Sequence, residues 1–121
     1  MLTIDEKVKI FKALGNDTRF RIFQKLFTVE HVCYADDTKS EEDIIAQATC
    51  VTDIAAEFHF ALPTISRHLK EMKDANIIIM KKIKNKIYIE PNVLVARQID
   101  MCFTDLLKNH KQFETFHESE F

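Results

Sequence analysis

The chain opens with a helical period. Ile4, Val8, Phe11 and Leu14 recur at three- and four-residue steps and predict a helix. Thr3-Ile4-Asp5-Glu6 fits a capping box, in which a hydroxyl and a carboxylate each satisfy an orphan backbone N–H. Gly15 suits the left-handed position after the last turn. Asn16 or Asp17 can cap a second helix, whose predicted buried face is Phe20, Ile22, Phe23, Leu26 and Phe27. The pattern then lapses. Residues 30–43 are polar and mostly acidic and predict a solvated insert, at whose end Ser40 is placed to cap a short helix carrying Ile44, Ile45 and Ala48.

Thr52 is the next candidate cap, with Asp53 favourable in the first turn and the helix ending near His59. Pro63 sits at or near the start of another helix, where its missing N–H costs nothing. That helix buries Ile65, Leu69 and Met72 and stops at Asn76, which tolerates a left-handed backbone. From Ile77 the period changes to that of strands. Ile77, Ile78 and Ile79 are followed by Ile83, Ile87 and Ile89 with alternating polar neighbours, and the run breaks at Lys84-Asn85-Lys86. A two-stranded hairpin turning with positive φ at Asn85 and ended by Pro91 accounts for this. From Asn92 to about Lys111 helical spacing returns. Val95, Ile99, Cys102 and Leu106 form one stripe, with Ala96, Phe103 and Leu107 beside it.

The order is helix, helix, acidic insert, short helix, helix, hairpin, long helix. This is a mainly α fold with a β-hairpin wing, a winged helix-turn-helix, carrying an extra short helix or loop after its second helix. Residues 1–112 form the expected domain, with DNA-binding and dimerisation parts, and 113–121 a tail.

Composition narrows the class. At 121 residues the chain makes one ordinary domain. Its 46% hydrophobic and 30% charged residues are usual for a soluble protein. No apolar run reaches the ~20 residues a bilayer demands, and MLTIDEKVKIF has charges where a signal peptide needs an apolar stretch. A cytoplasmic location is expected. Cys33, Cys50 and Cys102 are odd in number and far apart, which points to reduced thiols rather than a disulfide frame. One glycine excludes a Gly-rich phosphate loop, and no nucleophile-and-base set appears, so no enzyme is expected.

The net charge of −2 hides a strong asymmetry. Residues 28–58 carry one basic against eight acidic side chains, whereas residues 59–90 carry seven basic against three acidic. A basic patch of that kind can bind phosphates although the whole chain is acidic. On the helix after Pro63, Thr64, Ser66, Arg67, His68 and Lys70 project outward. Hydroxyls and Lys suit phosphates, and Arg suits base edges. A solvated helix face presents the same residue types. The hairpin adds Lys81, Lys82, Lys84 and Lys86, residues that also guard strand edges against aggregation. Their place directly after the outward helix favours a wing resting on DNA. The expected DNA-binding set is Pro63, Thr64, Ser66, Arg67, His68, Lys70, Lys82, Lys84 and Lys86.

ALGNDTRFRIFQKL (13–26), TDIAAEFHFALPTISRHLKEMKDANII (52–78) and KKIKNKIYIEPN (81–92) resemble the ArsR/SmtB family of bacterial repressors. The resemblance covers all but the insert and the tail. It implies a homodimer built on the first and last helices, binding to an inverted-repeat operator in double-stranded DNA, and release by an effector. That effector is usually a metal or metalloid, sometimes a sulfur or redox signal. Two local departures stand out. Ala61 and Leu62 occupy the place of the usual Ser-Gln pair, which removes a cap and a base-reading amide, and Asn85 stands where the wing commonly has Gly.

The family's ligand sets are not reproduced. Where a Cys-Val-Cys-Asp thiolate site is implied, the chain reads Cys50-Val51-Thr52-Asp53, leaving Cys50 as the candidate metal ligand, with Cys33 seventeen residues upstream. A soft metal wants three or four S or N ligands. At the site implied on the last helix stand Asn92, Leu94, Asp105 and Lys108, of which only Asp105 can coordinate. Cys102 lies on the apolar stripe, and the histidines 31, 59, 68, 110 and 117 are scattered. No cofactor and no metal are therefore expected, and the partner beyond DNA is a small inducer or thiol-reactive effector. The expected dimer interface is Val95, Ile99, Cys102, Phe103 and Leu106. A different class also fits: a winged-helix protein-interaction module that docks a partner through the acidic insert 30–43, with weak or non-specific DNA binding.

Overall fold

Helix α1 (Ile4–Leu14) starts as its capping box dictates, with the Glu6 N–H donating to the Thr3 hydroxyl and the Thr3 N–H to the Glu6 carboxylate. The computed structural model describes residues 1–28, 40–42 and 49–110. Helix α2 spans Asp17–Thr28, with the Asn16 side chain accepting from the Arg19 N–H at 3.1 Å. Next come strand β1 (Thr49–Cys50), α3 (Val51–Phe58), α4 (Leu62–Asp74), β2 (Ile78–Ile83), β3 (Lys86–Pro91) and α5 (Val93–His110). The fold is mainly helical with a small antiparallel β-hairpin wing, a winged helix-turn-helix. Glu41 and Glu42 are helical behind Ser40. The rest of the acidic insert, Ile44, Ile45, Ala48, Cys33 and the tail lie outside the described residues.

The core is one cluster. Ile10 and Ala13 of α1, Ile22 and Leu26 of α2, Ile54 of α3, and Ile65, Leu69 and Met72 of α4 meet Ile77, Ile78, Ile89 and Val95. Each buried Ile, Leu or Met contributes about 1.5–3 kcal/mol through the water it leaves. The α4 face is the one the spacing predicts. The predicted α2 face is buried only in part, and α1 splits its apolar residues between two faces. On α1, Ile4, Val8 and Phe11 face solvent while Ile10 and Ala13 are buried, and on α2 Phe20 and Phe27 are exposed. Helix α1 carries two apolar sets, and the rest of the chain covers only one.

The chain's turns correct three local expectations. Gly15 ends α1 at φ −78°, not left-handed. Its missing side chain serves close approach, since a Cβ there would lie 3.2 Å from the Phe11 carbonyl oxygen. Helix α3 begins at Val51, so Thr52 is inside the helix and Cys50 takes the cap position. The cause is β1: Thr49 and Cys50 pair antiparallel with Ile89 and Tyr88, which holds the chain extended up to Cys50. At the wing tip positive φ falls on Lys84 (56°), not Asn85. Both primed hairpin turns need it at their first central residue. Asn76, by contrast, ends α4 left-handed (φ 63°) as predicted, and Asn92 donates to its carbonyl at 3.0 Å.

The sheet order is β1-β3-β2, all antiparallel. A central β3 explains why polar alternation fails at its far end: Tyr88, Ile89 and Glu90 are all buried.

Candidate nucleic-acid interface

Helices α3 and α4 are joined by three residues. His59 adopts a left-handed backbone (φ 58°), and the Phe60 N–H returns to the Ala55 carbonyl at 3.2 Å. Ala61 is extended, and α4 starts without a side-chain cap, with Pro63 in its first turn. Burial of Ile65, Leu69 and Met72 at 0% fixes the rotation of α4. Pro63, Ser66, Arg67 and Lys70 are therefore exposed, and Thr64 and His68 half-buried. Lys70 lies 3.6 Å from Asp74 one turn on, both largely in solvent. Exposed pairs of this kind contribute under about 1 kcal/mol and leave the lysine available.

Arg19 is the residue whose role the sequence reading misses. Its guanidinium donates from Nε to the Ala13 carbonyl at 2.5 Å and from Nη2 to the Lys12 carbonyl at 3.3 Å, taking up orphan acceptors at the end of α1. Its Nη1 faces His68 Nδ1 at 3.4 Å. One side chain of α2 thus ties the end of α1 to the outward helix. Burial lowers the His68 pKa, and the charges of Arg19 and Arg67 lower it further, so the imidazole is held towards its neutral form. Part of His68 is thereby committed to the fold rather than to a ligand.

In the wing, Lys81, Lys82, Lys84 and Lys86 are all exposed. Ile83 pairs with Lys86 and Lys82 with Ile87. Strand alternation puts Lys81 and Lys86 on one face of the ribbon and Lys82 on the other, so the lysines flank the wing instead of forming one patch.

The other sequence-predicted residues separate. Cys50 is buried, its thiol donating to the Asp53 carboxylate at 3.0 Å and lying 3.1 Å from the Thr52 hydroxyl. Among the described residues no three His, Cys, Asp or Glu converge as metal ligands. Val95 is part of the chain's core rather than of its surface, where the expected dimer interface had it, and Ile99 packs partly against that core. Phe103 and Leu106 are exposed, as are Met101 and Leu107. Phe103 meets Phe11 edge-on at 6.0 Å between ring centres, so the exposed sets of α1 and α5 adjoin. Cys102 is half-buried beside a cleft of about 430 Å³ between the chain start and α5, bordered by Leu2, Lys7, Met101, Asp105 and Leu106. No helix among the described residues is long and apolar enough to cross a membrane.

The helix pair with its basic hairpin defines a winged helix-turn-helix of the transcription-regulator type. Residues 44–79, which span that pair, match the family model for the bacterial regulatory protein, arsR family, and the resemblance drawn from the sequence holds. Solved structures agree in fold. An ArsR family transcriptional regulator superposes with TM-score 0.67 at 15% identity, over 91% of this chain and 95% of that one. A homodimeric winged helix-turn-helix DNA-binding domain (fragment 1–100) from Mycobacterium bovis gives 0.57 at 18% identity, over 91% and 84%. The AntR antimony-specific transcriptional repressor gives 0.54 at 25% identity, over 89% and 82%. No curated protein sequence matches the chain.

Proposed function

We propose that the chain is a homodimeric, sequence-specific DNA-binding repressor of the cytoplasm, released from an inverted-repeat operator by an effector. The observation that carries this reading is the outward face of α4. Ser66, Arg67 and Lys70 stand clear of a helix whose rotation is locked by three fully buried side chains, with the wing lysines in the same basic segment. A helix so placed fits the major groove and the wing the flanking backbone. The adjoining faces Ile4, Val8 and Phe11 on α1 and Phe103, Leu106 and Leu107 on α5 support a twofold dimer, since apolar surface of that extent is seldom left in water. The cleft beside Cys102 has the volume small ligands occupy, which supports a small inducer.

The test is duplex binding across a salt series. Affinity should fall steeply with salt, as counterion release demands. Arg67→Ala should cost about 1–3 kcal/mol on the preferred duplex and relax preference at one position. Lys84→Ala and Lys86→Ala should weaken all duplexes alike and flatten the salt slope. Equal loss on preferred and random DNA for Arg67→Ala would show that this residue reads no base.

A further inference from the structure

The start of α4 presents an apolar tip. Phe60 is 40% exposed and Leu62 46%, with Ala61 between them and Pro63 behind also in solvent. Leu62 is the first residue of α4. Steps of four along a helix keep to one face, so Leu62 heads the row that continues through Ser66 and Lys70. The buried row Ile65, Leu69 and Met72 flanks Leu62 at steps of three and seven, so Leu62 stands at the border between the buried and the outward rows and is exposed because it opens the helix. A leucine at the head of a polar, cationic row adds nothing to the core. It also belongs to the N-terminal residues, which in a helix lying in the major groove are the ones that contact base edges.

We propose that Leu62, supported by Phe60, reads the 5-methyl group of a thymine in the major groove. The inference rests on the DNA-binding reading above and specifies what part of the site selects. Charge argues for this occupant: the tip belongs to the basic segment 59–90, and Arg67 and Lys70 on the same helix suit a polyanion. The discrimination has two sides. A thymine methyl gives Leu62 apolar area to cover, which is favourable. Guanine or cytosine at that place would instead have an acceptor or donor stripped of water by a side chain that offers no hydrogen bond, which is costly. An adenine edge is rejected for the same reason. Leu62 therefore enforces an orientation of the A·T pair as well as its identity.

The experiment selects duplexes from a random library with the full chain, then replaces each thymine of the selected duplex in turn by deoxyuridine, which lacks only the methyl. Fluorescence anisotropy titration should find one thymine in each half-site whose demethylation weakens the wild type about fourfold, as loss of one buried methyl implies. Leu62→Ala should bind thymine and uracil forms equally, whereas Leu62→Met, which keeps an apolar contact, should retain the difference. If Leu62→Ala binds too weakly to titrate, selection is repeated with it, and a site that still demands thymine there overturns the proposal. So does a wild type indifferent to every methyl, or an unchanged ratio in Leu62→Ala. Enrichment of no duplex at all would defeat the DNA-binding reading itself, and this inference with it. A wild type that selects a site but ignores its methyls defeats this inference alone.

Discussion

Replacing Arg19 by Met keeps most of the stem and removes the guanidinium. Two carbonyls at the end of α1 then lose their donor. A hydrogen bond from a charged donor is worth about 1.5–3 kcal/mol where buried and less where water can substitute. The Ala13 bond is short and half-buried, so about 1.5 kcal/mol is assigned to it; the Lys12 bond is longer and exposed, so about 0.5 kcal/mol suffices. The total of about 2 kcal/mol lowers the melting temperature of a domain this size by roughly 10 °C. Circular-dichroism melts and urea titrations at matched protein concentration measure it. Arg19→Lys should recover at most half, because a single ammonium cannot span two carbonyls and an imidazole. A second readout is specific to the contact with α4: the His68 pKa, followed by NMR, should rise in Arg19→Met, since a neighbouring positive charge is gone, yet remain lowered by burial. A variant within about 0.5 kcal/mol of wild type, with His68 unmoved, would refute the bridging role assigned to Arg19.

Phe103→Asp puts a carboxylate into the surface formed by α1 and α5 and should abolish both dimer and duplex binding at a cost of several kcal/mol, although it touches no DNA; wild type that is monomeric in light scattering at tens of micromolar, with duplex affinity intact, would defeat the dimer. The folded pKa of His68 lies below its ordinary 6.5, so the unfolded chain takes up the proton first. Stability contributed by the neutral imidazole is full above pH 6.5 and is lost as pH falls through the window down to the lowered value; His68→Gln should remove that part of the pH dependence in urea titrations. Protein purified without added metal should carry no stoichiometric zinc, because the Cys50 thiol faces only a hydroxyl and one carboxylate. Elemental analysis finding one zinc per protomer would overturn this, and if a thiol-seeking ion does act, Cys50→Ser should silence it before Cys102→Ser does.

The helix pair and wing are legible in sequence because each local signal agrees with the fold. Ile65, Leu69 and Met72 set the rotation of α4, Asn76 ends it, and the isoleucines change period where the strands begin. On α1 the spacing finds the helix but does not say which face the core takes. Ile4, Val8 and Phe11 keep helical spacing, but they face solvent, while the core takes Ile10 and the small Ala13. Periodicity reports that a face is apolar, not which body covers it. Strand β1 is two residues long and leads straight into a helix, too short for any alternation to register. Arg19 was visible only as a charge, since its partners are backbone carbonyls that no side-chain pattern encodes.

The two-residue strand β1 has a mechanical consequence. Cys50 is bonded into the sheet beside Tyr88, and the next residue, Val51, opens α3. On the other flank the Asn92 N–H holds the Ile77 carbonyl at 2.9 Å, closing the base of the hairpin onto the end of α4. Helix pair and hairpin base are therefore welded at both seams. Only the outer part of the hairpin, from Lys81 to Ile87, overhangs as a cantilever that β1 does not support. Amide exchange should be slow at Ile78, Ile89 and Val51 and quicken towards Lys84. The lysine tip is free to flex, whereas the axis of α4 is held against the wing root and moves only together with it.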